Sequence, residues 1–517
     1  MKHKSAARLL AFLAAGLFLF SSCQSQPITE PNPNLPPHIV GGQVAVTERA
    51  TAGPTEQPFE PEKPAIDKDP VTQPPTTEPK TTAATTAPAT TAATEAPATT
   101  QATTVPPTTV PPTTVPPTTV PPTTVPPTTV PPTTVPPTTV PPVKQAMAPS
   151  SGREMRGIWI SYLELGPLLE GRSESQFTAS VDEMFANCKA LGLDTVFVQV
   201  RPFGDALYPS DYFPWSYLAT GTEGVNPGYD PLAILVNKAK SHGLRIEAWL
   251  NPYRVRAEGS KKALSSGNQA QLWLNAGDDS VISYAGTISY NPASEKAQEL
   301  IVNGAREILR RYQVDGIHID DYFYPHTAAG FDSASYQRYT NGGGKLSLAD
   351  WRRSNVESLI QKLYAAVKAE RPGAVFGISP QSSVGNNYDA QYLDVRKITS
   401  RTGYCDYICP QIYFGFHNDI QPFAKTLDTW SDMTSNSKID LYVGLAVYKS
   451  GLLDSWAGSG SGEWRDNTDL LLQMVEYSRT VPQYKGFILY RYDSVFRPNS
   501  GVRSHVEKEI ENLRSGF

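Results

Sequence analysis

Val314-Asp-Gly-Ile-His-Ile-Asp-Asp-Tyr-Phe-Tyr-Pro325 begins as a buried strand and ends in two carboxylates, two tyrosines and a proline. Ile317 and Ile319 alternate with His318 and Asp320, the period of two of a strand whose faces differ. In a parallel sheet closed on itself, the isoleucines face the covering helices, and His318 and Asp320 face the axis. Asp321 comes where the strand gives way to its loop, so it need not keep the alternation. Two adjacent acids at one strand end raise each other's proton affinity and are costly to bury without a task. Asp320 and Asp321 are therefore the candidate catalytic pair. The structural alternative makes Asp320 a turn cap and pairs Asp321 with an arginine.

Outward from this stretch, short apolar runs alternate with amphipathic helices. Strands are expected at Arg156–Ile160, Thr195–Val200, Arg245–Leu250, Gly316–Asp320, Val375–Ser379, Tyr407–Ile412, Leu441–Leu445 and Gly486–Tyr490. Ser173 and Gln176 have the spacing of a capping box, with Gly192 at that helix's end. Asp230-Pro231 opens a second helix in the N-cap, N1 order, closed by Gly243. Asn291-Pro292 is expected to start the helix before the fourth strand, and Ser347 with Asp350 caps a long one that stops near Pro372. Eight strands separated by helices fit an α/β fold, a (β/α)8 TIM barrel spanning residues 151–517. A doubly wound open sheet is the runner-up, but no Gly-x-Gly-x-x-Gly or P-loop pattern follows any strand.

The informative polar residues fall just after strands, the end where such barrels carry chemistry. Arg201 and Asp205 follow the second strand; Asn251, Tyr253 and Arg254 the third; Tyr322 the fourth; Gln411 and Tyr413 belong to the sixth; Arg491 and Asp493 follow the eighth. Trp159, Tyr162, Trp249, Tyr253, Tyr322 and Tyr324 lie in the same zone. A ring of aromatics suits sugars, whose C–H faces are apolar and whose edges carry hydroxyls. The candidate substrate contacts are Arg201, Asp205, Asn251, Tyr253, Arg254, His318, Tyr322, Gln411 and Tyr413. Arg201, Arg254 and Arg491 can equally serve as structural partners of Asp205, Asp320 or Asp321.

The first 150 residues read differently. Lys2, Lys4 and Arg8 precede an apolar run, Leu9 to Phe20, which is too short to span a bilayer. With Ser21-Ser22-Cys23 it resembles a bacterial lipoprotein signal over residues 1–23, with Cys23 as the residue lipidated after cleavage. Residues 24–150 are rich in Pro, Thr and Ala, and Val-Pro-Pro-Thr-Thr repeats from Val105 to Thr139. Such a segment cannot bury enough apolar surface to offset its ordering entropy, and paired prolines favour polyproline II, so a disordered semi-rigid tether is expected. A net charge of −5 over 517 residues makes no case for nucleic acid. Cys188, Cys405 and Cys409 read as buried apolar residues. Cys405 and Cys409 are four apart in an extended stretch, too far to bridge, and no His/Cys spacing suggests zinc. No metal or cofactor is expected.

Five motifs in order carry a specific resemblance: Arg156-Gly-Ile-Trp159, Gln199-Val-Arg-Pro-Phe-Gly-Asp-Ala-Leu-Tyr208, Ala248-Trp-Leu-Asn-Pro-Tyr-Arg254, Asp315 to Pro325, and Pro410-Gln-Ile-Tyr413. They are similar to those of the glycosyl-hydrolase-like family ten, over about Arg153 to Ser494. The resemblance implies a bacterial envelope glycosidase on a TIM barrel, with peptidoglycan glycan strands the favoured substrate. One departure is that Ser379-Pro380 runs into Gln381-Ser-Ser, where the family tends to have Phe-Gly.

Glycoside hydrolysis needs an acid for the leaving oxygen and a second group at the anomeric centre. Adjacent acids resemble the arrangement in hexosaminidases that use the substrate's 2-acetamido oxygen as nucleophile. On that reading Asp321 is the acid and Asp320 orients the acetamido group. His318 is expected to hydrogen-bond one of them, and Glu247, two residues deeper in its strand, to support the floor. Asp205, Asp493 and Glu164 are the other acids near strand ends. A non-catalytic glycan-binding barrel, a glycosidase for another polysaccharide, and a metal-dependent hydrolase using Asp320, Asp321 and His318 are the rival readings.

Overall fold

The computed structural model of the chain describes residues 154–260 and 262–517. The signal segment, Cys23 and the repeat tether lie outside the described residues. Eleven strands are β1 (Met155–Ile160), β2 (Thr195–Arg201), β3 (Arg245–Leu250), β4 (Arg254–Arg256), β5 (Val281–Tyr284), β6 (Thr287–Tyr290), β7 (Gly316–Ile319), β8 (Val375–Ile378), β9 (Tyr407–Ile408), β10 (Asp440–Ala446) and β11 (Tyr484–Tyr490). Eight of them close into a parallel barrel in the order β1-β2-β3-β7-β8-β9-β10-β11, with β11 back against β1.

The helix signals hold where they are local. Ser173 and Gln176 form the capping box of helix Glu174–Leu191, and Gly192 ends it at φ 95°, a left-handed conformation natural to glycine. Asp230 caps Pro231–Ser241, and Ser347 caps Leu348–Glu370. The helix expected at Asn291-Pro292 starts later, at Glu295, capped by Ser294. Asn291 instead uses its side chain to brace the preceding loop, accepting from Ala293 N and donating to Asp279 O and Ser335 Oγ. The sixth strand is shorter than expected. Pro410 has no N–H to give a ladder, and Gln411 beyond it makes only isolated bridges to Gln381 and Gly444. Between β3 and helix Glu295–Arg311 the chain also builds a small antiparallel sheet, β4-β6-β5, that the periodicity did not suggest.

Ile317 and Ile319 join the apolar layer between barrel and helices, as do the buried thiols of Cys188 and Cys405. The barrel interior is a separate cluster built around Trp159, Phe197, Trp249, Tyr407, Cys409 and Ile488. Gly377 permits it: a Cβ there would sit inside the Tyr407 ring, which lies across the barrel towards His318. The interior is a packed floor beneath the strand ends, as small parallel barrels require.

Candidate active site

The floor is a directed chain of hydrogen bonds. Trp159 Nε1 donates to His318 Nε2 at 3.1 Å, His318 Nδ1 donates to Tyr407 Oη at 2.8 Å, and Tyr407 Oη donates to Glu247 Oε2 at 2.6 Å. Trp159 can only donate, so the chain assigns His318 its Nδ1–H neutral tautomer. Burial agrees, pushing His318 down to about 3. This corrects one expectation: His318 bonds neither Asp320 nor Asp321, because both its nitrogens are taken one layer below them. Glu247 is the floor residue that its depth in β3 suggested. Burial pushes it up to about 8 against the opposing Tyr407 bond.

Above this floor β7 ends and Asp320 and Asp321 follow, 5 % and 3 % exposed. They are held from opposite sides. Asn251, just past β3, donates from Nδ2 to Asp320 Oδ1 at 2.6 Å. Its own Oδ1 accepts from Gln199 Nε2 at 2.5 Å and Arg254 Nη2 at 3.2 Å, and Gln199 Oε1 accepts from Tyr162 N at 2.9 Å. On the other side Gln381 Nε2 donates to Asp321 Oδ2 at 3.1 Å and Gln411 Nε2 to Asp321 Oδ1 at 3.3 Å. Gln381 Oε1 accepts from Asn386, and Gln411 Nε2 also donates to Ser379 O, so neither amide is free to reverse.

Burial raises the proton affinity of both carboxyls above the ordinary range. For Asp320 the Arg254 charge and the Asn251 bond oppose that rise. For Asp321 the second cause is the Asp320 charge, which adds to burial, while the two glutamine bonds oppose it. A proton taken up by the pair therefore rests preferentially on Asp321.

Arg254 fixes one wall of the mouth. Its Nε donates to Pro202 O at 2.9 Å, and its guanidinium lies 4.6 Å from the Tyr322 ring centroid and 4.8 Å from that of Phe203. Tyr413, Tyr448 and Tyr490 form an aromatic group across the site, with centroids 5.6 to 6.1 Å apart. Arg491 pairs with the buried Glu164 at 2.5 Å, not with Asp320 or Asp321.

Asn251, Arg254, Tyr322, Gln411 and Tyr413 are thus gathered around the acid pair. Four other expected contacts are not, and His318, with both nitrogens bonded in the buried floor, is the first of them. Arg201, Asp205 and Tyr253 are buried among other partners in the outer core and loop layer. The β2–β3 register shifts between Gln199 and Arg201, so Arg201 pairs with outward-facing Leu250. That bulge turns Arg201 out of the interior, against the Phe213 ring at 4.6 Å. Asp205 is spent inside the loop layer, accepting from Tyr217 N, and Tyr253 packs in the outer core. Tyr324 likewise turns inward to Asp332. Two site residues escaped the sequence reading, Gln199 and Gln381. Gln199 carried a signal, as a polar side chain amid the apolar Val196–Val200. Gln381 carried one in the departure after Ser379-Pro380.

Among the described residues no group of three or more His, Cys, Asp or Glu side chains is arranged to hold a metal. No described helix is long and apolar enough to cross a membrane.

Residues 154–455 match the family described as glycosyl hydrolase-like 10. The glycosyl hydrolase DigH of Escherichia coli K12 is 32 % identical over 395 residues, covering 69 % of this chain and 87 % of that protein. The glycosyl hydrolase YngK of Bacillus subtilis 168 is 34 % identical over 381 residues, covering 70 % of this chain and 72 % of that one. Among solved structures, the PgaB (BpsB) glycoside hydrolase domain of Bordetella bronchiseptica aligns over 71 % of this chain and 99 % of its own, at 13 % identity and a TM-score of 0.47. With the motifs, the closed barrel and more than half its length matched, the chain belongs to the glycosyl hydrolase-like 10 family.

Proposed function

We propose that this glycoside hydrolase cleaves peptidoglycan glycan strands at N-acetylated sugars, with the substrate's own acetamido oxygen as nucleophile. The observation that carries the reading is the adjacent acid pair, held from opposite sides, with Asp321 the one whose proton affinity burial and the Asp320 charge raise together. Neighbouring residues cannot readily flank a sugar from opposite faces as a separated acid and nucleophile do. The other acids near strand ends have other partners: Glu164 has Arg491, Glu247 has Tyr407, Asp205 has Tyr217 N, and Asp493 faces Arg491 at 3.6 Å and Arg497 at 3.8 Å.

In this mechanism Asp321 gives its proton to the leaving glycosidic oxygen as the acetamido oxygen bonds to the anomeric carbon. Asp320, held ionised beside Arg254, accepts the acetamido N–H and stabilises the positive charge that develops there. Asp321, now a carboxylate, takes a proton from the water that opens the cyclic intermediate, returning the pair to its starting state. The free acid of peptide-free muramyl lactate is a fitting partner for Arg254, and the flanking tyrosines offer flat faces to the sugar rings. The test compares a chain of N-acetylated sugars with its de-N-acetylated counterpart. Hydrolysis confined to the first is the expected result, and equal turnover on both refutes acetamido participation.

The same proposal puts the enzyme at the outer face of the cytoplasmic membrane, anchored by a lipid on Cys23. A basic start, a short apolar run and a cysteine support that placement. A polyproline tether extending about 3.1 Å per residue would let the barrel reach into the wall. Cys23→Ala should release the protein from the membrane fraction; retention there would rule the anchor out.

A further inference from the structure

Two arginines are fully buried in the barrel domain, and the chain treats them oppositely. Arg352 meets Asp332 through Nη2 at 2.5 Å and Nε at 2.9 Å, and donates at 2.8 Å to each of Thr327 O, Ala328 O and Tyr392 Oη. Among the described residues Arg201 has no acceptor for Nε, Nη1 or Nη2. Tyr208 Oη, Tyr290 Oη and Asp205 Oδ1 are equally buried and equally without a partner. Tyr208, Tyr290 and Asp205 are also the titratable groups near enough to the Arg201 guanidinium to bear on its proton affinity. A buried guanidinium left this way is severely destabilising unless something compensates it.

The donor inventory says what that must be. A guanidinium has five N–H donors and no acceptor, and two phenols add two O–H donors. Against them stand the two phenolic oxygens and one unpartnered carboxylate oxygen, the last on a group that burial and then Glu223 push up to about 7. Water brings donors and acceptors in equal number, so it leaves both the donor surplus and the positive charge in place. An anion brings acceptors only. We propose that Arg201, Tyr208 and Tyr290 form a buried binding site for a halide-sized anion, with chloride as its occupant. The nitrogens and hydroxyls are sealed from solvent, which favours a single-atom anion over a polyatomic one. The site sits at the root of the mouth's wall. Pro202 O next door accepts from Arg254 Nε, Phe203 lies against Arg254, and Gly204 N donates to Val255 O at 3.3 Å. The bound anion thus neutralises the residue from which that wall springs, whatever glycan the mouth takes.

The experiment moves the full chain into potassium gluconate and titrates potassium chloride or bromide at constant ionic strength, reading the thermal midpoint. A saturable rise of a few degrees is expected, since an anion binding only the folded state stabilises it by mass action. Tyr290→Phe should weaken the half-saturating halide concentration on the order of 10-fold, the loss of one hydrogen bond to a charged group. Crystals grown in bromide should show an anomalous peak beside Arg201. A flat titration, an equal response in Tyr290→Phe, or bromide-grown crystals without that peak would each overturn the site.

Discussion

The side-chain amide of Asn251 lies 2.6 Å from Asp320 and cannot turn over, because its oxygen already accepts from Gln199 and Arg254. The orientation of one catalytic candidate is therefore set by a chain that begins at the backbone N–H of Tyr162, on the far side of β2. Asn251→Ala should lower kcat by about 10- to 100-fold with a smaller change in KM, as expected for a residue that positions a carboxylate. Steady-state kinetics on peptide-free glycan strands measure the split, and a change confined to KM would mean that Asn251 binds substrate instead.

Asp320→Asn and Asp321→Asn should each cost on the order of 100-fold or more in turnover, the loss of a positioned acid or charge. Neither should unfold the barrel. Asp321 is raised by burial and by Asp320, so neutralising either acid relieves a buried repulsion. The thermal midpoint of either variant at alkaline pH should match or exceed the wild type; a clear fall would show that the pair serves folding.

The pair's proton also predicts a pH profile. Activity should fall on the alkaline side as Asp321 loses its proton, at a pH above the ordinary carboxylate range. On the acid side it should fall as Asp320 is protonated. Arg254 opposes that protonation, so Arg254→Gln should move the acid limb to higher pH. The pH dependence of kcat/KM in the two proteins decides it; an acid limb that stays put would uncouple Arg254 from Asp320.

Glu247 makes a stability prediction of opposite character. Its folded proton affinity is raised to about 8, first by burial, from an ordinary 4.5. Between those values the folded state keeps a proton that the unfolded state has lost. Its contribution is complete at acid pH, falls by about 1.4 kcal/mol per pH unit above 4.5, and is spent once the pH passes about 8. Glu247→Gln keeps a neutral side chain at every pH, so its midpoint should exceed the wild type's near pH 8 and approach it near pH 5. Melts across that range test the difference, and parallel curves would contradict it.

Arg352 and Asp332 form the buried ion pair that ties the loop after β7 to helix Leu348–Glu370. Asp332→Ala leaves the guanidinium uncompensated and should cost about 3–5 kcal/mol in denaturant unfolding. The double replacement Asp332→Ala with Arg352→Met should recover much of that loss, and failure to recover would mean that the backbone bonds of Arg352 dominate.

Local chemistry makes much of this legible in the chain itself. Period-two alternation marked Ile317 and Ile319 as outward and His318 as inward, and their packing agrees because strand geometry decides faces residue by residue. Capping residues placed Ser173, Asp230 and Ser347 for the same reason, since a cap bonds an amide two or three residues away. The two acids were likewise readable as a pair at a strand end. Partners far along the chain were not. His318 is bonded by Trp159, 159 residues earlier, and by Tyr407, 89 residues later; only closure of the barrel brings those rings to one level. The register shift that turns Arg201 outward depends on pairing with β3, and nothing in Gln199-Val-Arg201 itself announces it. Gln381 and Gln411 reach Asp321 because β7, β8 and β9 end side by side. The sequence by itself determined which segments form the barrel strands and where the carboxylates stand on them, though not the small sheet β4-β6-β5. The tertiary structure decided which side chains meet, because a hydrogen bond's partner follows from register and closure, while a residue's face follows from its own backbone.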